Sequence, residues 1–137
     1  MGQAVRHNSL MPGLKDDELE NCPRRPNCVS SEAAAHTGGW IAPLTIHAGA
    51  QTAWKALCET VGTLPRARIV TRTDEYLHAE VRSRIFGFVD DLEFQLREKD
   101  GIIEMRSAAR AGYYDLGVNR RRLERLRNLL RSRGIVS

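Results

Sequence analysis

Strict alternation of apolar and polar positions dominates the middle of the chain. Over residues 76–85, Leu77, Ala79, Val81, Ser83 and Ile85 fall on one side. Tyr76, His78, Glu80, Arg82 and Arg84 fall on the other. This period of two is the signature of a strand with one buried face. Leu92, Phe94 and Leu96 alternate in the same way with Asp91, Glu93, Gln95 and Arg97, and Ile103, Met105 and Ser107 alternate with Glu104, Arg106 and Ala108. Lys99, Asp100 and Gly101 supply the hairpin turn between these two runs. Arg68–Arg72 is a shorter, β-branched run, and Ile41–Ile46 contains Pro43, which suits a first or edge strand.

The period changes to that of a helix in two places. Ala53, Trp54, Leu57, Cys58 and Val61 share one stripe, which Gly62 and Pro65 bring to an end. Near the C-terminus, Leu116, Val118, Leu123, Leu126, Leu129 and Leu130 mark a second helical face, with Gly134 placed to stop it. Asp115 or Asn119 is its predicted N-cap. The resulting order, β-α-β-β-β-β-α, predicts an α+β fold. A single curved antiparallel sheet is covered by helices in the TATA-binding-protein-like or helix-grip arrangement. Such an arrangement does not by itself carry a function. Residues 1–20 show no usable period and are expected as an N-terminal tail, and residues 21–137 as one domain. The Pro-, Gly-, Ser- and Asn-rich stretch from Asn21 to Trp40 is expected as loop.

A chain of 137 residues can bury one core without cross-links. No apolar run approaches the roughly 20 residues that span a bilayer, and no apolar leader opens the chain, so the expected location is cytoplasmic. The net charge is +4, and its excess is local: from Arg120 to Arg133 seven arginines face only Glu124. Such a helix is either a solvated outer face or a weak contact for a membrane surface or nucleic acid. No aromatic side chains alternate with the arginines, which argues against stacking on bases.

The polar side of the sheet is the first candidate for chemistry. Glu80, Arg82 and Arg84 should lie beside Asp91, Glu93 and Gln95, near Glu104 and Arg106. Cross-strand pairs of opposite charge stabilise by about 0.2–1 kcal/mol each, so one reading is a charge ladder that keeps an open face soluble. The sharper reading comes from the flanks. An apolar turn (Ile85, Phe86, Phe88, Val89) precedes Asp90 and Asp91, and Arg110, Gly112, Asp115, Gly117, Asn119 and Arg122 surround the start of the last helix. Helix starts with nearby arginines favour anions, although Asp115 would compete for the free N–H groups. Adjacent strand residues point to opposite faces, so Asp90 and Asp91 cannot simply share a proton. Converging at a bulge, they could hold a divalent metal. His78 is the candidate proton-transfer residue on the polar face, with a plain surface histidine as the alternative. No nucleophile elbow or phosphate-cradling glycine loop is present, and no motif names a cofactor. Cys22 and Cys28 are separated by more than the usual zinc-ligand gap, and no second ligand pair completes a metal site. A small disulfide loop, a reactive thiol near Arg24 and Arg25, and a plain tight turn all stay open for them. Cys58 and Trp54 lie on the helical stripe and are expected in the core.

The runs CPRRPNCVSS, YLHAEVRSRIFGFVDDLEF and RSAARAGYYDLGVNRRRLERLR together resemble the DUF1499 family of small bacterial and plastid domains, over roughly Leu14 to Leu130. The resemblance implies no activity. It marks Cys22, Asn27, Cys28, Arg82, Ser83, Phe86, Asp90, Asp91, Glu93, Arg106, Ser107, Arg110, Gly112, Asp115, Gly117, Asn119 and Arg122 as motif positions. Ala108 and Tyr114 stand where similar proteins commonly carry Ser, so hydroxyl chemistry is not implied there. Similar proteins often carry an export or lipoprotein leader, which implies an envelope location should this start be incomplete.

The expected function is therefore non-catalytic binding of a polar or anionic ligand, or of a protein partner. The site residues are Arg82, Asp90, Asp91, Glu93, Arg106, Arg110, Asp115, Asn119 and Arg122. An enzyme using Asp90 or Asp91 with a divalent metal, and peripheral membrane or nucleic-acid contact through the basic helix, are the alternatives.

Overall fold

The computed structural model describes residues 12–23, 27–33, 38–84, 87–112 and 117–137. Among these residues eight strands and two α-helices follow one another: β1 (Leu14–Lys15), β2 (Glu18–Leu19), β3 (Cys28–Ser30), β4 (Leu44–Thr45), α1 (Ala50–Gly62), β5 (Ala67–Arg72), β6 (Tyr76–Arg82), β7 (Val89–Arg97), β8 (Ile102–Ala109) and α2 (Val118–Ser132). Strands β3 to β8 form a six-stranded sheet in the order β3-β8-β7-β6-β5, with β4 also pairing β8, and every pairing between these strands is antiparallel. The fold is α+β with both helices on one face of an open sheet. From β4 onward the element order is the one the hydrophobic pattern predicts.

Alternation builds that sheet directly. The register sets Leu77 opposite Phe94, Ala79 opposite Leu92, Phe94 opposite Met105 and Leu96 opposite Ile103. These side chains are buried against Trp54, Leu57 and Val61 of α1 and Leu123, Leu126 and Leu130 of α2 in one core. Cys58 is a free thiol within that core, and burial pushes its pKa up. Trp54 donates its indole N–H to the Thr73 carbonyl at 2.9 Å, which ties α1 to the turn between β5 and β6. Gly101, at φ 67°, supplies the left-handed residue of the β7–β8 hairpin.

Five expectations need correction. Residues 14–19 are a small hairpin rather than tail, and β3 lies inside the stretch read as loop. Runs of two and three residues are too short to display a period. The β6–β7 connection comes earlier than predicted, since β6 stops at Arg82 and β7 begins at Val89, with Ser83 and Phe88 closing the turn. Helix α2 begins after Gly117, at φ 78° and without a side-chain cap, so Asn119 is not its N-cap. The buried stripe of α2 is also narrower than predicted: Val118 and Leu129 are each 38% exposed.

Candidate functional site

Adjacent positions of β7 send their side chains to opposite sheet faces, and that divides the predicted site residues in two. Asp91 and Glu93 lie on the outer face, away from the helices, with Arg106 and Arg110. Asp90 lies on the helix face with Ser107, Asn119 and Arg122. Asp115 falls outside the described residues. Arg82 sits at the exposed end of β6, where among the described residues its guanidinium reaches the Gly87 carbonyl, at 3.4 Å. It joins neither group.

The outer face is charged but not open. Asp91 is 1% exposed, Glu93 and Arg106 are 0%, and Gln95 and His78 are buried. The segment before Cys22 lies across them. The Gly13 amide donates to Glu93 Oε2 at 2.7 Å, Gln95 Nε2 donates to the Asp17 carbonyl at 2.8 Å, and Arg106 Nη2 donates to the Asn21 carbonyl at 3.4 Å. A disulfide from Cys22 to Cys28, with the Cα atoms 5.5 Å apart, fastens this strap to β3. Beneath it Arg106 pairs with Glu93 at 3.2 Å, and the Tyr76 hydroxyl also donates to Glu93. Two ions removed from water in this way need each other, since their desolvation costs several kcal/mol apiece. The solvated ladder expected on this face is an internal polar layer.

Arg110 completes the layer at its edge. Its guanidinium contacts Asp91 through Nε at 2.7 Å and Nη2 at 2.8 Å, and Glu80 through Nη2 at 2.6 Å. His78 Nε2 lies 2.7 Å from Asp91 Oδ1. Burial raises the Asp91 pKa, but the hydrogen bonds from His78 and Arg110 outweigh it and hold the carboxyl below its ordinary value. The Arg110 bond likewise lowers Glu80, and Asp91 in turn raises Arg110. His78, Glu80 and Asp91 each offer a ligand atom within 4.8 Å of the others. The Arg110 guanidinium already takes up both carboxylates, so a metal ion there would have to displace it. Asp90 contributes nothing to this group, being on the other face. The convergence of Asp90 and Asp91 on one ion is therefore not what the fold builds.

On the helix face, Arg122 Nη1 binds Asp90 at 3.0 Å, Asn119 Oδ1 at 2.9 Å and Ser107 Oγ at 3.4 Å. The Ser107 hydroxyl donates to Asn119 Oδ1. Asn119 Nδ2 donates to the Asn27 carbonyl at 3.3 Å, and Asn27 Nδ2 donates to the Gly112 carbonyl at 2.8 Å. Asn119 and Ser107 are fully buried. These motif positions join α2, β8 and the turn before β3, and the bonds account for their polar character.

Most arginines of α2 are committed in the same way. Arg120 clamps the Gly38 and Trp40 carbonyls, Arg127 those of Ala42 and Pro43, and Arg133 the Thr60 hydroxyl. Arg121 and Arg125 are exposed. With Arg66 and Arg122 they line a concavity of about 240 Å³, whose remaining walls are Leu64, Pro65, Val81 and Val118. Arg66 reaches the site because it adopts a left-handed φ of 60° in the α1–β5 turn, where its Nε donates to the Arg82 carbonyl at 3.0 Å. Sequence reasoning named only Arg122 of these four. The basic run of α2 signalled Arg121 and Arg125, and only the turn geometry brings in Arg66.

The molecule is thus a small α+β domain with a polar layer sealed inside one sheet face and a basic concavity beside α2. The chain belongs to the DUF1499 family: the model described as "Protein of unknown function (DUF1499)" matches residues 18–130. No curated protein and no solved structure matches it. Among the described residues no helix is long and apolar enough to cross a membrane.

Proposed function

We propose that the domain is a non-catalytic binding module and that its site is the arginine-lined concavity, which takes a small anion. One observation carries the reading: Arg66, Arg121, Arg122 and Arg125 converge from two elements on one cavity, and among the described residues no carboxylate lines it. Asp90 pairs with Arg122, and Glu124 is engaged by Arg127. Arg–phosphate and Arg–carboxylate contacts are charge-assisted and geometrically selective. The charged outer face supports this function indirectly, by holding the sheet that presents Val81.

Titrating the protein with inorganic phosphate and with citrate, followed by backbone amide shifts, tests the reading. Saturable shifts confined to residues 64–66, 81 and 117–125 are expected, and Arg125→Ala should weaken them about tenfold, as for one charged hydrogen-bonding partner. Arg125 is exposed and has no hydrogen-bond or ion-pair partner among the described residues, so the variant should retain the wild-type melting temperature. Shifts that are absent, or equal in wild type and Arg125→Ala, refute the assignment.

A further inference from the structure

We infer that the domain has a second ligand site, for an alkyl-diammonium compound, at the end of the sheet where β7 turns into β8. A cavity of about 600 Å³ opens there, a volume within the range of small-molecule sites. It shares no residue with the arginine concavity. Four carboxylates line it from three separate stretches of chain. Asp17 comes from the β1–β2 turn, Glu75 from the β5–β6 turn, and Glu98 and Asp100 from the single helical turn that follows β7. All four are exposed. Backbone and side-chain bonds hold the stretches together: the Leu96 amide donates to the Glu75 carbonyl at 2.8 Å, and Gln95 Nε2 donates to the Asp17 carbonyl at 2.8 Å.

Exposed acids on turns are ordinary by themselves, and it is Gln95 that points to a ligand. It lines the cavity and is 4% exposed. Only Nε2 of its carboxamide can donate to the Asp17 carbonyl, so that bond, with a longer one of 3.4 Å to Asp17 Oδ1, fixes which way the group faces. Its Oε1 is then buried without a hydrogen-bond partner among the described residues. A buried acceptor left unmet is costly, and a donor entering the cavity removes that cost. The ligand therefore donates, and the carboxylates around it select a cation.

The spacing of the acids sets the kind of cation. Among the described residues the trio of ligand groups within 4.8 Å of one another is His78, Glu80 and Asp91. No three of the cavity's carboxylates therefore close on a single metal ion. Charges spread around a cavity of this size match a ligand that carries its positive charges apart, one ammonium at Gln95 Oε1 and the other among the turn carboxylates. Two basic residues also line the cavity. Arg97 pairs with Glu104 at 3.3 Å and Glu32 at 3.5 Å, both outside the lining. Lys99 is exposed and opposes a cationic ligand, so its removal has a sign that can be read.

Titration with putrescine at low ionic strength, followed by NMR, tests the inference. Saturable shifts are expected for the amides of residues 17, 75 and 95–100, and for the Gln95 side-chain Nε2 resonance, which moves when a donor arrives at Oε1. An exposed ion pair is worth up to about fivefold in affinity. Glu98→Gln should therefore weaken binding by up to about fivefold, and Lys99→Ala should tighten it by up to about the same factor. Butylamine, with one ammonium, should bind more weakly than putrescine by a similar margin. Glu59, exposed on α1 and outside the lining, supplies the control: Glu59→Gln should bind like wild type. Absence of saturable shifts, or saturation that leaves the Gln95 side chain unmoved, overturns the site. Weaker binding by Lys99→Ala, or equal binding by butylamine, overturns the diammonium assignment. So does magnesium ion that reproduces the same shifts at the same concentration.

Discussion

Replacing Arg106 by methionine is the sharpest test of whether the charged sheet face is structural. Arg106 and Glu93 are both 0% exposed and lie 3.2 Å apart, with the Tyr76 hydroxyl and the Gly13 amide also on the Glu93 carboxylate. Arg106→Met leaves that carboxylate buried with two neutral donors and without its guanidinium partner. Breaking one side of a buried pair costs about 3–5 kcal/mol. For a domain of this size that corresponds to a fall in Tm of roughly 10–20 °C. Glu93→Leu alone should cost a similar amount, because it strips the carboxylate from a buried arginine. The double variant Glu93→Leu/Arg106→Met removes both charges and keeps the volume. Its remaining losses are the Tyr76, Gly13 and Asn21 bonds, each worth about 1 kcal/mol, partly offset by the desolvation no longer required. It should therefore lie within about 2–3 kcal/mol of wild type, far above the sum of the singles. Urea unfolding followed by tryptophan fluorescence, with a common m-value, gives all four free energies. A cost below about 1 kcal/mol for Arg106→Met, or a double variant as unstable as the sum of the singles, refutes the reasoning. Either result would return this face to candidacy as a ligand site.

Three further outcomes follow from the same geometry. Asp91 and Glu80 have folded pKa values below their ordinary 3.8 and 4.5. They therefore contribute stability above those ordinary values and lose it as pH falls through the lowered ones. Burial raises Glu32 and opposes this in part. Thermal melts from about pH 7 to about pH 2.5 should be flat to about pH 5 and then fall, and Arg110→Ala should shrink the fall; an unchanged acid limb in that variant contradicts the assignment. Cys22→Ser/Cys28→Ser opens a loop with a sequence separation of six, which should cost about 2 kcal/mol. Hydrogen exchange should rise chiefly over residues 12–23, since among the described residues Leu19 is the one apolar side chain of the strap in the buried set. Gly117→Ala forces a Cβ into a φ of 78° and within 3.0 Å of Arg121 Nη1, so it should cost about 1–2 kcal/mol, measurable by the same unfolding assay.

The hydrophobic alternation made the four long sheet strands, the two helices and their order legible before any coordinates, because period two and period 3.6 are local consequences of burial on one side. The faces of Asp90 and Asp91 were legible for the same reason. What covers the other side of the sheet was not. Alternation says that Glu93 and Arg106 share a face, but a polar face buried by the chain's own N-terminal strap has the same pattern as a wet one. The difference lies in long-range bonds such as Gly13 to Glu93, whose partners stand 80 positions apart. Asn119 was misplaced as a cap because its polarity serves Ser107 and Asn27, tertiary partners with no local signature, together with Arg122 one turn on. Val118 and Leu129 counted as core because a helical period cannot distinguish a stripe's edge from its centre.

The motif positions carried by the family resemblance therefore sort by what their bonds do, and the sorting moves the search for function. Cys22, Cys28, Asn27, Asp91, Glu93, Arg106, Arg110, Ser107 and Asn119 are tied to one another through the strap, the outer layer and the α2 junction. Most polar groups of this network are bonded within it, which favours one fold and leaves little for a ligand. The chemistry left over is at the edge of that network. Arg122 faces inward to Asp90 and outward to the arginine concavity, so it alone joins the motif cluster to the candidate site. Its position gives the buried cluster a functional consequence. The Asp90, Ser107 and Asn119 bonds set the angle at which α2 presents Arg121 and Arg125. A change at Asn119 should then reach the cavity through helix placement, although Asn119 itself does not line it.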